Sequence, residues 1–189
     1  KTQVLDLRGA AVVPGFIDSH VHMEGLGMQM ETFDLRHVKT VAEVAALVRK
    51  RAAQLPKGTW IRGRSWDQTN WGGAFPTEAD LTAAAPEHPV FLTRVDGHAG
   101  WVNWKALEIA GIDEKTPDPM GGKIVRDAAG RATGILIDRA QGLVGAKIPP
   151  ASDDEVVSRI RAAARECARL GLTTVHDAGI DEQIGRAHV

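Results

Sequence analysis

Two histidines, His20 and His22, end a short apolar stretch that reads PGFIDSHVH and covers residues 14–22. If residues 16–21 form a strand, the alternation of side chains places Asp18, His20 and His22 on one face. Two imidazoles on one face at the end of a strand can bind the same metal ion, with Zn–N bonds of roughly 2.0–2.1 Å. Without a metal, both rings would be hydrogen-bonded to neighbouring carbonyl groups. The spacing therefore leaves a metal site and a structural pair as alternatives.

Polar side chains also follow three later stretches that read as strands. They are Asp67 after residues 59–64, Asp96 and His98 after residues 90–95, and His176 and Asp177 after residues 172–175. If these strands are parallel, all the groups lie on the rim formed by the carboxyl ends, where barrel enzymes place their active sites. A single histidine in such a position is more often structural, whereas several on one rim indicate a shared site.

The elements that would position these side chains alternate between strand and helix. Capping boxes at residues 40–43 and 152–155 each precede apolar residues at helical spacing. Asn103 is a typical N-cap, and Gly111 is a typical helix end. This alternation predicts an α/β protein whose parallel sheet is covered by helices, and four such units make about half of an eight-stranded barrel.

Smaller segments interrupt this pattern. Residues 2–7 and 10–13 predict a small β element before the main domain. Residues 23–30 combine methionine with glycine and predict a pliable loop. Residues 123–138 predict an inserted hairpin, because two strand-like runs flank a turn sequence.

The last six residues, 184–189, read IGRAHV, which is the in-frame translation of a common sequencing-adapter sequence. We therefore expect them to be non-native and the true protein to continue differently, and we assign no function to His188.

Composition excludes several classes of function. The chain has 189 residues and a formal net charge of −1, which gives no electrostatic reason to expect nucleic acid or an anionic membrane as a partner. No apolar run approaches the roughly 20 residues that a membrane helix needs. The single cysteine, Cys167, excludes an internal disulfide framework and is compatible with the cytoplasm, which is where we expect the protein.

Several stretches resemble known enzymes. The stretch VVPGFIDSHVH (residues 12–22) resembles the first barrel strand of the amidohydrolase superfamily, which comprises metal-dependent hydrolases on a (β/α)8 barrel with a small β-sandwich. Four more stretches resemble a narrower branch, amidohydrolase family 3, which contains the N-substituted formamide deformylase-like enzymes. They are WDQTNW, PTEADLTAAAPEHPVFLTRVDGHAGWVNWKALEIAGI, TPDPMGGKIVRDAAGRATGILID and GLTTVHDAG. The resemblance covers nearly the whole chain before residue 184.

This resemblance implies the fold and the metal. Residues 14–183 would form the first half of a metal-dependent-hydrolase (β/α)8 TIM barrel, and residues 1–13 part of the small β-sandwich. The cofactor would be a divalent metal, expected to be zinc as one or two ions, with His20 and His22 as ligands and Asp18 behind them. Many members bridge two metals with a lysine, which residues 173–177 lack. Asp138 is the expected carboxylate ligand in its place, with Asp177 as an alternative, and solvation of both carboxylates at the surface is the other interpretation.

The remaining site residues follow from the same rim. His98, His176 and Asp96 are the expected catalytic groups, because the leaving amine must take a proton from a nearby side chain. Residues 65–75 read as a tryptophan-rich loop, and we expect Trp66, Trp71 and Asp67 in this loop to bind substrate. For the tryptophans, packing between helices and sheet is the alternative.

The function implied is hydrolysis of a non-peptide carbon–nitrogen amide bond of a small molecule by metal-activated water. A deaminase or cyclic amidohydrolase of the same superfamily is one alternative, and a barrel scaffold without catalysis is another. Later strands of the superfamily supply two more histidines and a final aspartate. The chain lacks those strands, so we expect it to be inactive alone, and its oligomeric state stays open.

Overall fold

The computed structural model describes residues 2–179, which divide into two compact units. The discontinuous unit contains residues 2–31 and 151–179, and the continuous unit contains residues 32–150. None of the helices within residues 2–179 has the length and apolar character needed to cross a membrane.

The discontinuous unit is a two-stranded parallel sheet covered by two helices. Its elements are β1 (Phe16–Val21), α1 (Met23–Glu31), α6 (Asp153–Arg169) and β8 (Leu172–Asp177). Strand β1 pairs directly with β8, and α1 packs against α6. A small apolar core lies between sheet and helices, formed by Met23, Ala163 and Cys167 with Val21, Leu26, Leu172 and Val175.

Residues 23–30 form a helix, so the predicted loop is wrong. The backbone N–H of Met23 donates to the Asp177 carboxylate, 3.1 Å away, which caps the first turn from the neighbouring strand. Arg159 of α6 bonds both Glu24 and Glu31 at 2.8 and 2.7 Å. These partners are more than a hundred residues away in sequence, so the local pattern of methionine and glycine does not reveal the helix.

The continuous unit is built on a six-stranded mixed sheet in the order β2-β3-β4-β5-β7-β6. Its elements in chain order are β2 (Phe33–Asp34), α2 (Val41–Ala52), β3 (Ile61–Trp66), α3 (Glu78–Ala84), β4 (Val90–Arg94), β5 (Ala99–Val102), α4 (Trp104–Ala110), β6 (Gly122–Arg126), β7 (Ala132–Asp138) and α5 (Gln141–Gly145). Strands β2, β3 and β4 are parallel, and the remaining pairs are antiparallel. The predicted hairpin is the β6–β7 pair.

Local end signals position the helices as predicted. Thr40 caps α2 by accepting from the N–H of Glu43, and Ser152 and Glu155 form the capping box of α6. Asn103 caps α4 by accepting from Ala106, and the helix ends at Gly111 in the left-handed conformation that glycine adopts without strain.

Two predictions about the sheet are wrong. The four predicted parallel strands, now β1, β3, β4 and β8, do not form one sheet, because β1 and β8 pair with each other while β3 and β4 lie in the six-stranded sheet. Residues 2–13 form no strand in the described chain, because a strand requires a hydrogen-bonded neighbour and none of the described residues pairs with them. Val4 and Leu5 are consequently exposed.

Candidate metal and catalytic groups

His20 and His22 lie next to each other at the carboxyl end of β1. Their ring centroids are 5.3 Å apart in an edge-to-face arrangement, and both residues are exposed. The pairing with β8 slips between Asp18 and Val21, so strict alternation is interrupted there. The Asp18 carboxylate accepts from the backbone N–H of His20 at 3.0 Å and so braces the strand end behind the first imidazole.

The end of β8 holds the backbone around His22. Asp177 accepts from Met23 N–H at 3.1 Å and from Gly179 N–H at 2.9 Å. A cavity of about 250 Å³ adjoins these groups and is lined by His22, Met23, Glu24, Gly25, Asp177 and Gly179. A Cβ added to Gly179 would lie 2.4 Å from Nδ1 of His22, so a side chain at this position would force the ring to move.

His176 is an exposed residue of β8, and its two neighbours, Val175 and Asp177, both contact the helices of this unit. Val175 packs against the helix core, and Asp177 reaches the start of α1. Because strand side chains alternate, His176 points to the face opposite α1 and α6.

The donor atoms at this strand end fit part of a metal site. Two neighbouring imidazoles are borderline-soft ligands that suit zinc and similar divalent ions. Within residues 2–179, however, no group of three or more His, Cys, Asp or Glu side chains is arranged to hold a metal. The described chain therefore contributes two candidate ligands, and a complete site needs more.

A second polar group lies in the continuous unit around His98. Its Nδ1 lies 2.7 Å from an Asp138 carboxylate oxygen, and its backbone N–H donates to Asp96 at 3.0 Å. Arg94 in turn donates to Asp96 at 3.1 Å. His98 and Asp96 thus lie side by side, and Asp138, the metal ligand expected from the sequence, bonds His98.

The pKa of His98 is raised from its ordinary value. The hydrogen bond with Asp138 is the largest cause, followed by the charges of Asp138 and Asp96, which favour the protonated ring. Burial and the charge of Arg94 act weakly in the other direction.

Three of the five tryptophans, Trp66, Trp71 and Trp101, form a cluster in the core of the continuous unit. Trp66 ends β3 and is 0% exposed, so the prediction that it lies in a loop is wrong, and it has no surface to offer a substrate. Trp71 is half-buried in a 3-10 helix, and its ring stacks on Trp66 with centroids 6.0 Å apart. Each indole N–H donates to a backbone carbonyl oxygen: Trp66 to Leu92, Trp71 to Val38 and Trp101 to Thr77.

Asp67 caps that 3-10 helix. Its carboxylate accepts from the N–H and the hydroxyl of Thr69 at 2.9 and 2.7 Å. These bonds, the hydroxyl bond above all, hold the pKa of Asp67 below its ordinary value. Asp67 therefore has a structural role whether or not it also meets a substrate.

The candidate site is that of an α/β chain with two adjacent imidazoles, donors that suit a divalent metal, at the carboxyl end of a parallel strand pair. The model of the amidohydrolase family matches residues 3–189, and the chain belongs to that family.

Named relatives agree with this assignment. The chain is 39% identical over 177 residues to the "Putative amidohydrolase YtcJ" of Bacillus subtilis (strain 168), an alignment that covers 93% of this chain and 34% of that protein. It is 33% identical over 188 residues to the N-substituted formamide deformylase of Arthrobacter pascens, covering 93% and 34% of the two chains.

A solved structure is also similar. It is an uncharacterized metal-dependent hydrolase from Pyrococcus horikoshii OT3, with a TM-score of 0.69, 29% identity and coverage of 93% of this chain and 33% of that one. The chain thus spans about a third of the length of the relatives it matches.

Proposed function

We propose that this chain contributes to a metal-dependent amidohydrolase that cleaves a non-peptide carbon–nitrogen bond in a small-molecule amide. The observation that carries the proposal is the His20–His22 pair, whose rings lie 5.3 Å apart at the end of β1 in a chain of the amidohydrolase family. The name of the Arthrobacter pascens relative supports an N-substituted formamide as the first substrate to test.

His20 and His22 would hold the metal, which we propose to be zinc. When bound, such an ion polarises a substrate carbonyl and lowers the pKa of water at an open coordination position. Asp18 and Asp177 would keep the two imidazoles in place through their bonds to the backbone at His20 and Met23. His98, Asp96 and His176 remain our candidates for moving the proton to the leaving amine.

We also propose that β1 and β8 are neighbouring strands of a (β/α)8 barrel. They pair in parallel, α1 follows β1, and α6 precedes β8, which is the connectivity of consecutive barrel units. The continuous unit would then be an insertion between the two barrel units. On this proposal the chain contains two barrel strands instead of the four expected from the sequence.

Replacement of each histidine tests the ligand assignment. In the natural full-length protein, His20→Ala and His22→Ala should each lower bound zinc by more than about tenfold, because each removes one imidazole from the ligand set. Elemental analysis after dialysis measures the zinc, and release of formate from an N-substituted formamide measures hydrolysis.

His37→Ala is the matched control, because His37 is also exposed but lies in the continuous unit beyond β2. This variant should keep the metal and the activity of the unchanged protein. Undiminished zinc in both His20→Ala and His22→Ala would refute the ligand assignment.

A further inference from the structure

His98 and Asp138 face each other across the end of an antiparallel strand pair. Ala99 of β5 pairs with Ile137 of β7, and the Asp138 N–H donates to the His98 carbonyl oxygen at 2.9 Å. Residues opposite each other in such a pair have side chains within contact distance. The 2.7 Å bond between Nδ1 and the carboxylate is therefore set by the sheet register.

The loop that carries His98 is held at both sides. Gly97 N–H donates to the Arg94 carbonyl oxygen at 3.0 Å, and the Gln141 side chain donates to the Gly97 carbonyl oxygen at 2.9 Å. Asp96 is fixed by Arg94 and accepts from the His98 N–H. Hydrogen bonds from the Arg94 backbone, the Gln141 side chain and the Asp96 side chain thus fix the backbone of this exposed loop.

Asp138 adopts a backbone conformation that is unfavourable for a residue with a side chain. Its φ is +47°, in the left-handed region. Such conformations persist where surrounding bonds enforce them, and they cluster at functional sites. In this backbone conformation the Asp138 carboxylate faces His98.

The imidazole is nevertheless open to ligands. The His98 side chain is 73% exposed, and among the described residues Nε2 has no hydrogen-bond partner. A precisely held ring with one free nitrogen differs from an ordinary surface histidine, whose side chain samples several rotamers.

We propose that Asp138 is a positioning residue that holds His98 in its Nδ1–H tautomer, so that the neutral ring presents Nε2 as a hydrogen-bond acceptor to an N–H or O–H group of the substrate. The identity of the substrate in this proposal rests on the proposed hydrolase function. It gives Asp138 a different role from the metal ligation expected from the sequence. The carboxylate accepts from Nδ1–H, which leaves the lone pair of Nε2 as the accepting site of the ring.

Nitrogen NMR of the ¹⁵N-labelled chain reads the tautomer directly, at a pH where the ring is neutral. In the unchanged chain, Nδ1 of His98 should carry the proton and Nε2 should show the shift of an unprotonated nitrogen. Asp138→Ala should move the proton to Nε2, because the acceptor is lost. Asp138→Asn should restore the Nδ1–H form, because its amide oxygen still accepts.

Asp34→Ala is the matched control, because it removes a carboxylate that bonds Arg36 instead of His98. It should leave the His98 signals unchanged. In the full-length enzyme, His98→Gln should lower kcat for amide hydrolysis by about 100-fold or more, and Asp138→Ala by about 10- to 100-fold with a smaller change in KM.

The inference would be overturned by an Nε2–H tautomer in the unchanged chain, by an unchanged tautomer in Asp138→Ala, or by full kcat in His98→Gln. Selective broadening of His98 Nε2 by Co²⁺ would also overturn it, because the ring would then be a metal ligand. If the unchanged enzyme hydrolyses no amide, the proposed function fails, whereas the tautomer measurement still decides the role of Asp138.

Discussion

The charge on the His98 ring depends on whether the chain is folded. In the folded chain the Asp138 hydrogen bond raises the pKa of His98 above its ordinary value of 6.5, and Asp96 adds to this while Arg94 opposes it. A raised pKa means that the folded state binds the proton more tightly than the unfolded state. The resulting stabilisation is fully present below pH 6.5 and is lost as the pH rises through the folded-state pKa.

Asp138→Asn should bring the pKa of His98 back towards 6.5, because the amide carries no charge. Histidine ring signals followed by NMR across the titration measure this shift. Since both side chains are substantially exposed, solvent screening should keep the accompanying change in stability small. A His98 pKa that is the same in the variant and the unchanged chain would contradict the prediction.

At the scale of elements, α1 and α6 approach each other closely at Gly27. A Cβ added to Gly27 would lie 2.2 Å from the backbone carbonyl oxygen of Arg159. Because backbone cannot turn aside as a side chain can, Gly27→Ala should separate the helices and cost about 1–3 kcal/mol of unfolding free energy. Urea denaturation measures this loss.

Gly25→Ala is the control within the same helix. A Cβ there would meet only the Cβ of His22 at an ordinary 3.5 Å, so the helix should gain about 0.5–1 kcal/mol from the reduced entropy of the unfolded chain. Equal effects of the two substitutions would contradict close packing of α1 on α6.

Element boundaries that depend on local chemistry were predictable, and pairings between distant segments were not. Ser152 with Glu155, and Asn103 with Gly111, form caps whose partners lie within a few residues. Helix α1, by contrast, is capped by Asp177, which no local pattern reveals. Strand β5 was also missed: it has only four residues, and it pairs both with the neighbouring β4 across the short turn at residues 95–98 and with the distant β7.

In the candidate site, too, a contact between residues close in sequence was predictable and a contact between distant residues was not. The proximity of His20 and His22 follows from their spacing in one strand end. The contact of His98 with Asp138 joins residues 40 positions apart through a sheet register, and it could not be read from the sequence. Trp66 looked like a loop residue because aromatic and polar residues surround it, but its burial is decided by the packing of Trp71 and Trp101 on its ring.

At the scale of the whole molecule, the two units differ in whether their residues are contiguous in sequence. The continuous unit uses one uninterrupted segment, whereas the discontinuous unit needs residues from both sides of it. The continuous unit also has its own buried core, including Leu35, Val44, Leu92, Trp101, Leu107 and Leu136. Its size lies in the ordinary range of domains that fold alone.

Residues 32–150 expressed alone should therefore fold cooperatively. We expect dispersed NMR signals and a single unfolding transition in urea, since the six-stranded sheet and its core are complete within this segment. A shortened control of residues 32–130 removes β7, which lies between β5 and β6, so it breaks the sheet in two and should not fold. If residues 32–150 are unfolded under conditions where the full chain is folded, the core of the continuous unit is insufficient by itself, and the segment depends on contacts beyond its own sheet and helices.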